Sequence, residues 1–122
     1  MVITKEEMIK LNWTIIQASG GEFGFLKEGD LDFAIDMSNS ALQGDKAAAA
    51  LLYYGLIGHP FVNGNKRTIY QTAQEVMASA GSSLVADYEK IVGFTGSIAS
   101  GLLDKAHIRL WINNNVYLGS VF

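Results

Sequence analysis

The sequence predicts an all-α fold, and three observations carry that prediction. Apolar residues recur at three- and four-residue spacing along almost the whole chain, which is the signature of one buried helix face. Helix-opening residues (Thr4, Asp30, Asp45, Asp87 and Asp104) and helix-ending ones (Gly20-Gly21, Gly58 and Gly81) fall between those stretches. No alternating run is longer than Ser83-Leu84-Val85-Ala86, so a sheet has little to build on. With 122 residues, a second core would leave each half near the size at which apolar burial barely offsets chain entropy. About six helices in one compact bundle spanning residues 1–122 are therefore expected, with a polar loop between its two central helices.

Thr4 followed by Glu7 is a capping-box pattern, and Met8, Leu11, Ile15 and Ile16 then repeat at helical spacing until Gly20-Gly21. A loop rich in glycine and aromatics follows, from Glu22 to Gly29. Asp30 is placed to cap a second helix carrying Leu31, Ala34, Ile35 and Met37. Asp45 opens a third, Lys46 to about Ile57, which is apolar almost all round and so belongs at the centre. Gly58 and Pro60 close it, and the proline biases His59 towards an extended conformation. The fourth helix runs from about Lys66 to Ala80, with Ile69, Ala73, Val76, Met77 and Ala80 on its buried side and Gly81 as its stop. Asp87 and Asp104 start two more, the last carrying Leu103, Ile108, Leu110 and Trp111. Asn113-Asn114-Asn115 reads as a polar turn near a frayed end. Trp13, Tyr53, Tyr54 and Trp111 lie in apolar patterns and are expected in the core.

Composition narrows the function classes. Hydrophobic residues make up 49% of the chain and charged ones 17%, below the roughly 25% usual for soluble domains, which argues against disorder. A net charge of −3 disfavours binding nucleic acid or anionic lipid through overall charge. The absence of cysteine removes disulfides, thiolate zinc sites and cysteine nucleophiles. Charges at Lys5, Glu6 and Glu7 leave no room for a secretory leader, and Ala47 to Gly58 is too short for the roughly 20 residues of a membrane span. The expectation is a cytoplasmic protein.

One segment carries chemistry: His59-Pro60-Phe61-Val62-Asn63-Gly64-Asn65-Lys66-Arg67-Thr68. It sets a polar loop between two of the most apolar helices and places Lys66 and Arg67 in the first turn of the next one. Positive charge there opposes the helix dipole, at about 0.3–1 kcal/mol per residue, so the arrangement suits a bound anion. Free N–H groups, the flexible Gly64 and two cations make a phosphate-sized site. Lys66 supplies a point charge and Arg67 a planar fork for two phosphate oxygens. Asn63 and Asn65 offer amide groups that can ligate Mg²⁺ or steady the loop. At the mouth sits His59, and an imidazole, titrating ordinarily near pH ~6.5, suits proton abstraction from a hydroxyl. Phe61 reads as the anchor that pins the loop. The residues alone point to phosphoryl or nucleotidyl transfer to a hydroxyl. A lone histidine before a proline is ordinarily a cap or surface residue, and Lys-Arg at a helix start ordinarily a solvated face. Here both stand within one short segment beside an aromatic and Gly-Asn, which favours the chemical reading.

This segment resembles the core motif of the Fic/Doc superfamily, His-Pro-Phe-x-(Asp/Glu)-Gly-Asn-Gly-Arg-x-x-Arg in its Fic branch. The match is at His59, Pro60, Phe61, Gly64, Asn65 and Arg67. Asn65-Lys66-Arg67-Thr68 is similar to the Doc branch, the toxins of toxin–antitoxin pairs, and Gly24 to Ala34 is similar to the loop and second helix of Doc-like chains. The resemblance implies ATP and Mg²⁺ acting on a protein hydroxyl: a Doc-like toxin moving the γ-phosphate to a threonine of elongation factor Tu and halting translation. The runner-up is Fic-type transfer of AMP. From a different class comes a non-catalytic nucleotide- or protein-binding module. Carried over, His59 is the general base, Gly64 and Asn65 form the anion loop, and Lys66 and Arg67 bind phosphates. Lys66 in place of the second motif glycine and Tyr70 in place of the second arginine favour the Doc branch. Asn63 occupies the acidic Mg²⁺-ligand position, which lowers the expected metal affinity. The self-inhibitory Ser/Thr-x-x-x-Glu motif is missing, which implies restraint by a separate antitoxin laying a helix or tail into a surface groove.

Other polar clusters read as structural. Asp30, Asp32 and Asp36 fit helix-start acids better than metal ligands, and His107 has no partner at ligand spacing. Phe23 and Phe25 are open between packing and a protein contact, and Tyr53 or Tyr54 is a secondary candidate for the nucleotide pocket.

Overall fold

A computed structural model describes residues 3–118. Six helices follow in order: α1 Lys5–Ser19, α2 Glu28–Asn39, α3 Gly44–Gly58, α4 Asn65–Ser79, α5 Tyr88–Ala99 and α6 Lys105–Asn114. Two short strands, β1 Ser82–Leu84 and β2 Val116–Leu118, pair antiparallel with Ser82 opposite Leu118 and Leu84 opposite Val116. The fold is all-α.

Helix α3 is the axis, packed against α2, α4, α5 and α6. Its run Ala47, Ala48, Ala49 and Ala50 is buried, followed by Leu51, Leu52, Gly55 and Leu56. Small side chains there let neighbouring helices approach closely on several sides, since interaxial distance follows side-chain size. The remaining core comes from one stripe per helix, including Met8 of α1, Leu31 and Ala34 of α2, Ile69 and Ala73 of α4, Phe94 and Ile98 of α5, and Ile108 and Ile112 of α6. None of the described helices is long and apolar enough to cross a membrane.

Helix starts divide between those set by capping and those set by tertiary contact. Thr4, Asp87 and Asp104 cap as expected, accepting from the N–H groups of Glu7, Lys90 and His107. Asp30 does not cap α2. That helix begins three residues earlier than a cap at Asp30 would give, behind Lys27, whose N–H donates to the Pro60 carbonyl at 3.0 Å; pairing with a distant loop fixes the start. Asp45 likewise lies inside the first turn of α3, which begins at Gly44. Its carboxylate accepts from Arg109 Nε at 2.6 Å and Asn113 Nδ2 at 3.0 Å. Partial burial works to raise the Asp45 carboxyl, but the hydrogen bonds from Arg109, Asn113 and the Lys46 N–H prevail and hold it below the ordinary carboxylate range.

The C-terminal expectations need correction too. Asn113 and Asn114 finish α6 rather than forming a turn, and Asn115 caps it with Nδ2 donating to the Trp111 carbonyl at 2.8 Å. The chain then enters β2, which is too short to show a periodicity of its own. Trp13 is 50% exposed and is not core, because it lies off the Met8–Ile15 stripe. Leu110 and Ala80 are also exposed. Trp111 is partly buried and stacked on Phe94 with ring centroids 3.7 Å apart.

Candidate active site

The connection between α3 and α4 is short and held at almost every residue. His59 ends α3 in the left-handed region, φ 55° and ψ 60°, with its N–H on the Gly55 carbonyl at 3.1 Å. It is the one non-glycine residue with positive φ among those described. The extended conformation expected ahead of Pro60 is thus overturned, since completing the α3 cap outweighs the proline's bias. A non-glycine residue in this region stores about 1 kcal/mol or more. Pro60 beyond it is buried, while the His59 ring stays exposed and lines a cleft.

Phe61 is 1% exposed and stacks on Phe25, ring centroids 5.5 Å apart. Asn65 locks Phe61 from the other side: Oδ1 accepts from the Phe61 N–H at 2.9 Å and Nδ2 donates to the Phe61 carbonyl at 2.8 Å. The Asn65 side chain is thereby committed to shaping the loop, and only its backbone N–H is left for a ligand. The glycine-rich α1–α2 connection runs alongside. Leu26 N–H donates to the Pro60 carbonyl at 2.7 Å, Val62 N–H to the Gly24 carbonyl at 2.9 Å, and Glu22 N–H to Asn63 Oδ1 at 2.8 Å. Phe25 is therefore packing, whereas Phe23 is 45% exposed.

Gly64 begins α4 with φ 78°, and no side chain caps the helix or places an acid in its first turn. Thr68 N–H reaches the Gly64 carbonyl at 2.9 Å, so the N–H groups of Asn65, Lys66 and Arg67 lack an intrahelical acceptor. The Lys66 and Arg67 side chains are exposed. Neither enters an ion pair among the described residues, unlike Lys5, paired with Glu28 and Asp32, and Arg109, paired with Asp45.

These groups meet in one cleft of about 590 Å³, lined by His59, Asn63, Gly64, Asn65, Lys66 and Arg67, with Ile15, Ile16 and Leu56 as its apolar part and Gly20, Gly21 and Ala99 at its edges. That volume suits a small-molecule ligand. The lining contains cations and neutral amides but no carboxylate, so its electrostatics favour a polyanion.

Among the same residues a divalent cation would find one neutral side-chain oxygen, Asn63 Oδ1, and no carboxylate. Asn63 Oδ1, the oxygen at the acidic position of the resembled motif, already accepts the Glu22 N–H. No group of three potential ligands among His, Cys, Asp and Glu occurs among the described residues. Tyr70, at the motif's second-arginine position, is 3% exposed, and burial pushes its hydroxyl up to about 12; it makes no contact with the cleft.

Other candidates lie elsewhere. Tyr53 and Tyr54 do not line the cleft; Tyr54 packs edge-on against Phe33 and Tyr53, and its hydroxyl accepts from Lys105 Nζ at 2.9 Å. His107 is exposed, with Nδ1 2.7 Å from Asp104 Oδ1. The sequence reading missed Asn12, which is fully buried on α1 and donates through Nδ2 to the Asn63 carbonyl at 2.9 Å and to Thr68 Oγ1 at 3.1 Å. Its Oδ1 is buried without a partner, at a cost of about 1–3 kcal/mol. An asparagine on the Met8–Ile15 face, where an apolar residue is due, was the available signal. No protein-family model matches the chain, and no curated protein matches it either.

Proposed function

We propose that the cleft binds the triphosphate of ATP and that the protein is a Doc-like toxin, a phosphotransferase acting on a hydroxyl of a translation factor such as elongation factor Tu. One observation carries the reading: an exposed imidazole, two cations outside any ion pair among the described residues and an uncapped helix start all line a single cleft free of carboxylates. Phosphoryl transfer needs little covalent help from the protein and much positioning and charge neutralisation. Lys66, Arg67 and the first N–H groups of α4 would hold the phosphate oxygens against the positive end of the helix dipole.

In the step itself, His59 takes the proton of the acceptor hydroxyl as its oxygen bonds to the γ-phosphorus. The bond from γ-phosphorus to the bridging oxygen breaks, and ADP leaves. The left-handed backbone of His59 fixes where the ring enters the cleft, which is positioning rather than flexibility. Mg²⁺, implied by the resemblance, would neutralise phosphate charge if carried in on the nucleotide. The residues present do not form a site for it, and no step is assigned to it. Restraint by a separate antitoxin belongs to the same proposal, supported by the missing self-inhibitory motif.

Incubation of the purified protein and a candidate translation factor with ATP labelled at the γ- or α-phosphate tests the reading. Label transferred from the γ-position, lost by about 10²-fold or more in His59→Ala, is the expected result. Transfer of α-label alone would assign AMP transfer instead. Growth arrest by native chain and His59→Ala alike would point to a binding module without chemistry.

A further inference from the structure

Asn12 lies on α1, far in sequence from the loop it touches, and nothing in the proposed chemistry uses it. Its side chain is fully buried, yet its amide oxygen has no partner. Both of its hydrogen bonds are donations through Nδ2, to the carbonyl of Asn63 and to Thr68 Oγ1. A buried amide that leaves its own oxygen unpaired in order to donate twice is held in place by what it donates to.

The consequence concerns the peptide between Asn63 and Gly64. No cis peptide occurs among the described residues, and in a trans peptide the C=O and N–H point to opposite sides. With the Asn63 carbonyl drawn onto Asn12 in the interior, the Gly64 N–H faces away from Asn12. Gly64 lines the cleft, and its N–H finds no acceptor among the described residues. The open N–H groups of Asn65, Lys66 and Arg67 follow directly in α4. If the peptide were turned over, a carbonyl oxygen would stand in the cleft beside the phosphates and repel them.

We infer that Asn12 is a positioning residue: by gripping the Asn63 carbonyl it sets the 63–64 peptide so that the Gly64 N–H becomes an additional donor to the bound phosphate. This inference rests on the reading of the cleft as a triphosphate site. It also makes α1 part of the binding apparatus, although only Ile15, Ile16 and Ser19 of that helix reach the cleft surface.

Calorimetric titration with ATP and with inorganic pyrophosphate, together with amide NMR, tests it on the full chain. In the wild type the Gly64 amide proton should move strongly on saturation, along with those of Asn65 to Arg67. Asn12→Ala should weaken binding by about ten- to hundredfold, the range for losing a hydrogen bond to a charged group, and should abolish the Gly64 shift. A folded control separates positioning from stability. Ile112→Val loosens the core at α6, away from Asn12 and the loop, and should bind within about threefold of wild type. A folded Asn12→Ala with wild-type affinity and an unchanged Gly64 shift overturns the inference. Should Asn12→Ala not fold, the wild type still decides: a Gly64 amide that stays put while Asn65 to Arg67 respond also overturns it. Wild-type protein that takes up neither ligand would instead bring down the triphosphate reading, and the inference with it.

Discussion

Helices α4 and α5 are neighbours in the chain and begin in opposite ways. At the start of α5, Asp87 is extended, its carboxylate accepts the Lys90 N–H at 2.9 Å, and Glu89 sits in the first turn. The start of α4 has a left-handed glycine, no capping side chain, no acid and two cations. Among the six described helices α4 alone lacks both a side-chain cap and a first-turn acid. A cap contributes about 1 kcal/mol; a first-turn acid such as Glu89 and a misplaced cation each count for about 0.3–1 kcal/mol, and α5 carries one such cation, Lys90, against the two of α4. The start of α4 is therefore weaker than that of α5 by about 2 kcal/mol.

What holds α4 is its body. Ile69, Tyr70, Ala73, Val76 and Met77 are all buried against the core, and large apolar side chains contribute about 1.5–3 kcal/mol each on burial. A helix fixed along its length can leave its first turn open, whereas α5, with Phe94, Thr95 and Ile98 as its buried residues, relies more on its cap. The open turn is then free to meet an anion.

The sharpest break of this contrast is at Gly64. A Cβ there would lie 2.9 Å from Asn12 Nδ2 on top of the positive φ of 78°, and Nδ2 cannot retreat without releasing the Asn63 carbonyl. Gly64→Ala should lose roughly 2–4 kcal/mol, combining left-handed strain with overpacking. Gly81, just past α4, has φ 89°, but a Cβ at that position would meet nothing within 4 Å. Gly81→Ala should cost only about 1 kcal/mol. Denaturant midpoints compare the two, and equal losses would show that Asn12 does not hold the loop rigidly. At the start of α5, Asp87→Ala should cost about 1 kcal/mol, read the same way; no loss would mean that the cap contributes nothing and that the two helix starts are equivalent.

Legibility in the sequence followed the range of the interactions. Thr4, Asp87 and Asp104 were readable because a cap bonds three residues on, within its own turn. Asp30 and Asp45 have the same local look, but their helices start where distant partners hold them: Pro60 on Lys27 for α2, and Arg109 on Asp45 for α3. The His59–Thr68 segment stood out because its residue types lack a local purpose. Its support was hidden. Neither the clasp of Glu22 on Asn63 nor that of Asn12 on the Asn63 carbonyl leaves a periodic trace, since each joins residues more than 40 positions apart. Proline's bias at His59 misled for a related reason: the α3 cap needs a left-handed residue, and the tertiary setting supplied the strain.

The smallest effect tests the comparison most finely, because stability and binding should move in opposite directions. Lys66→Gln removes a cation from the positive end of the α4 dipole while keeping a long, exposed side chain. It should raise stability by about 0.3–1 kcal/mol at low ionic strength, and by less as salt screens the dipole. If Lys66 holds phosphate as proposed, the same protein loses that charged contact, and pyrophosphate affinity should fall. Ligand stabilises the folded state by RT ln(1 + [L]/Kd); saturating pyrophosphate should therefore invert the order, with wild type melting above Lys66→Gln. A variant less stable than wild type without ligand would mean that Lys66 is held by a favourable contact of its own. The strained start of α4 would then have a structural cause, and the contrast with α5 would carry no implication for binding.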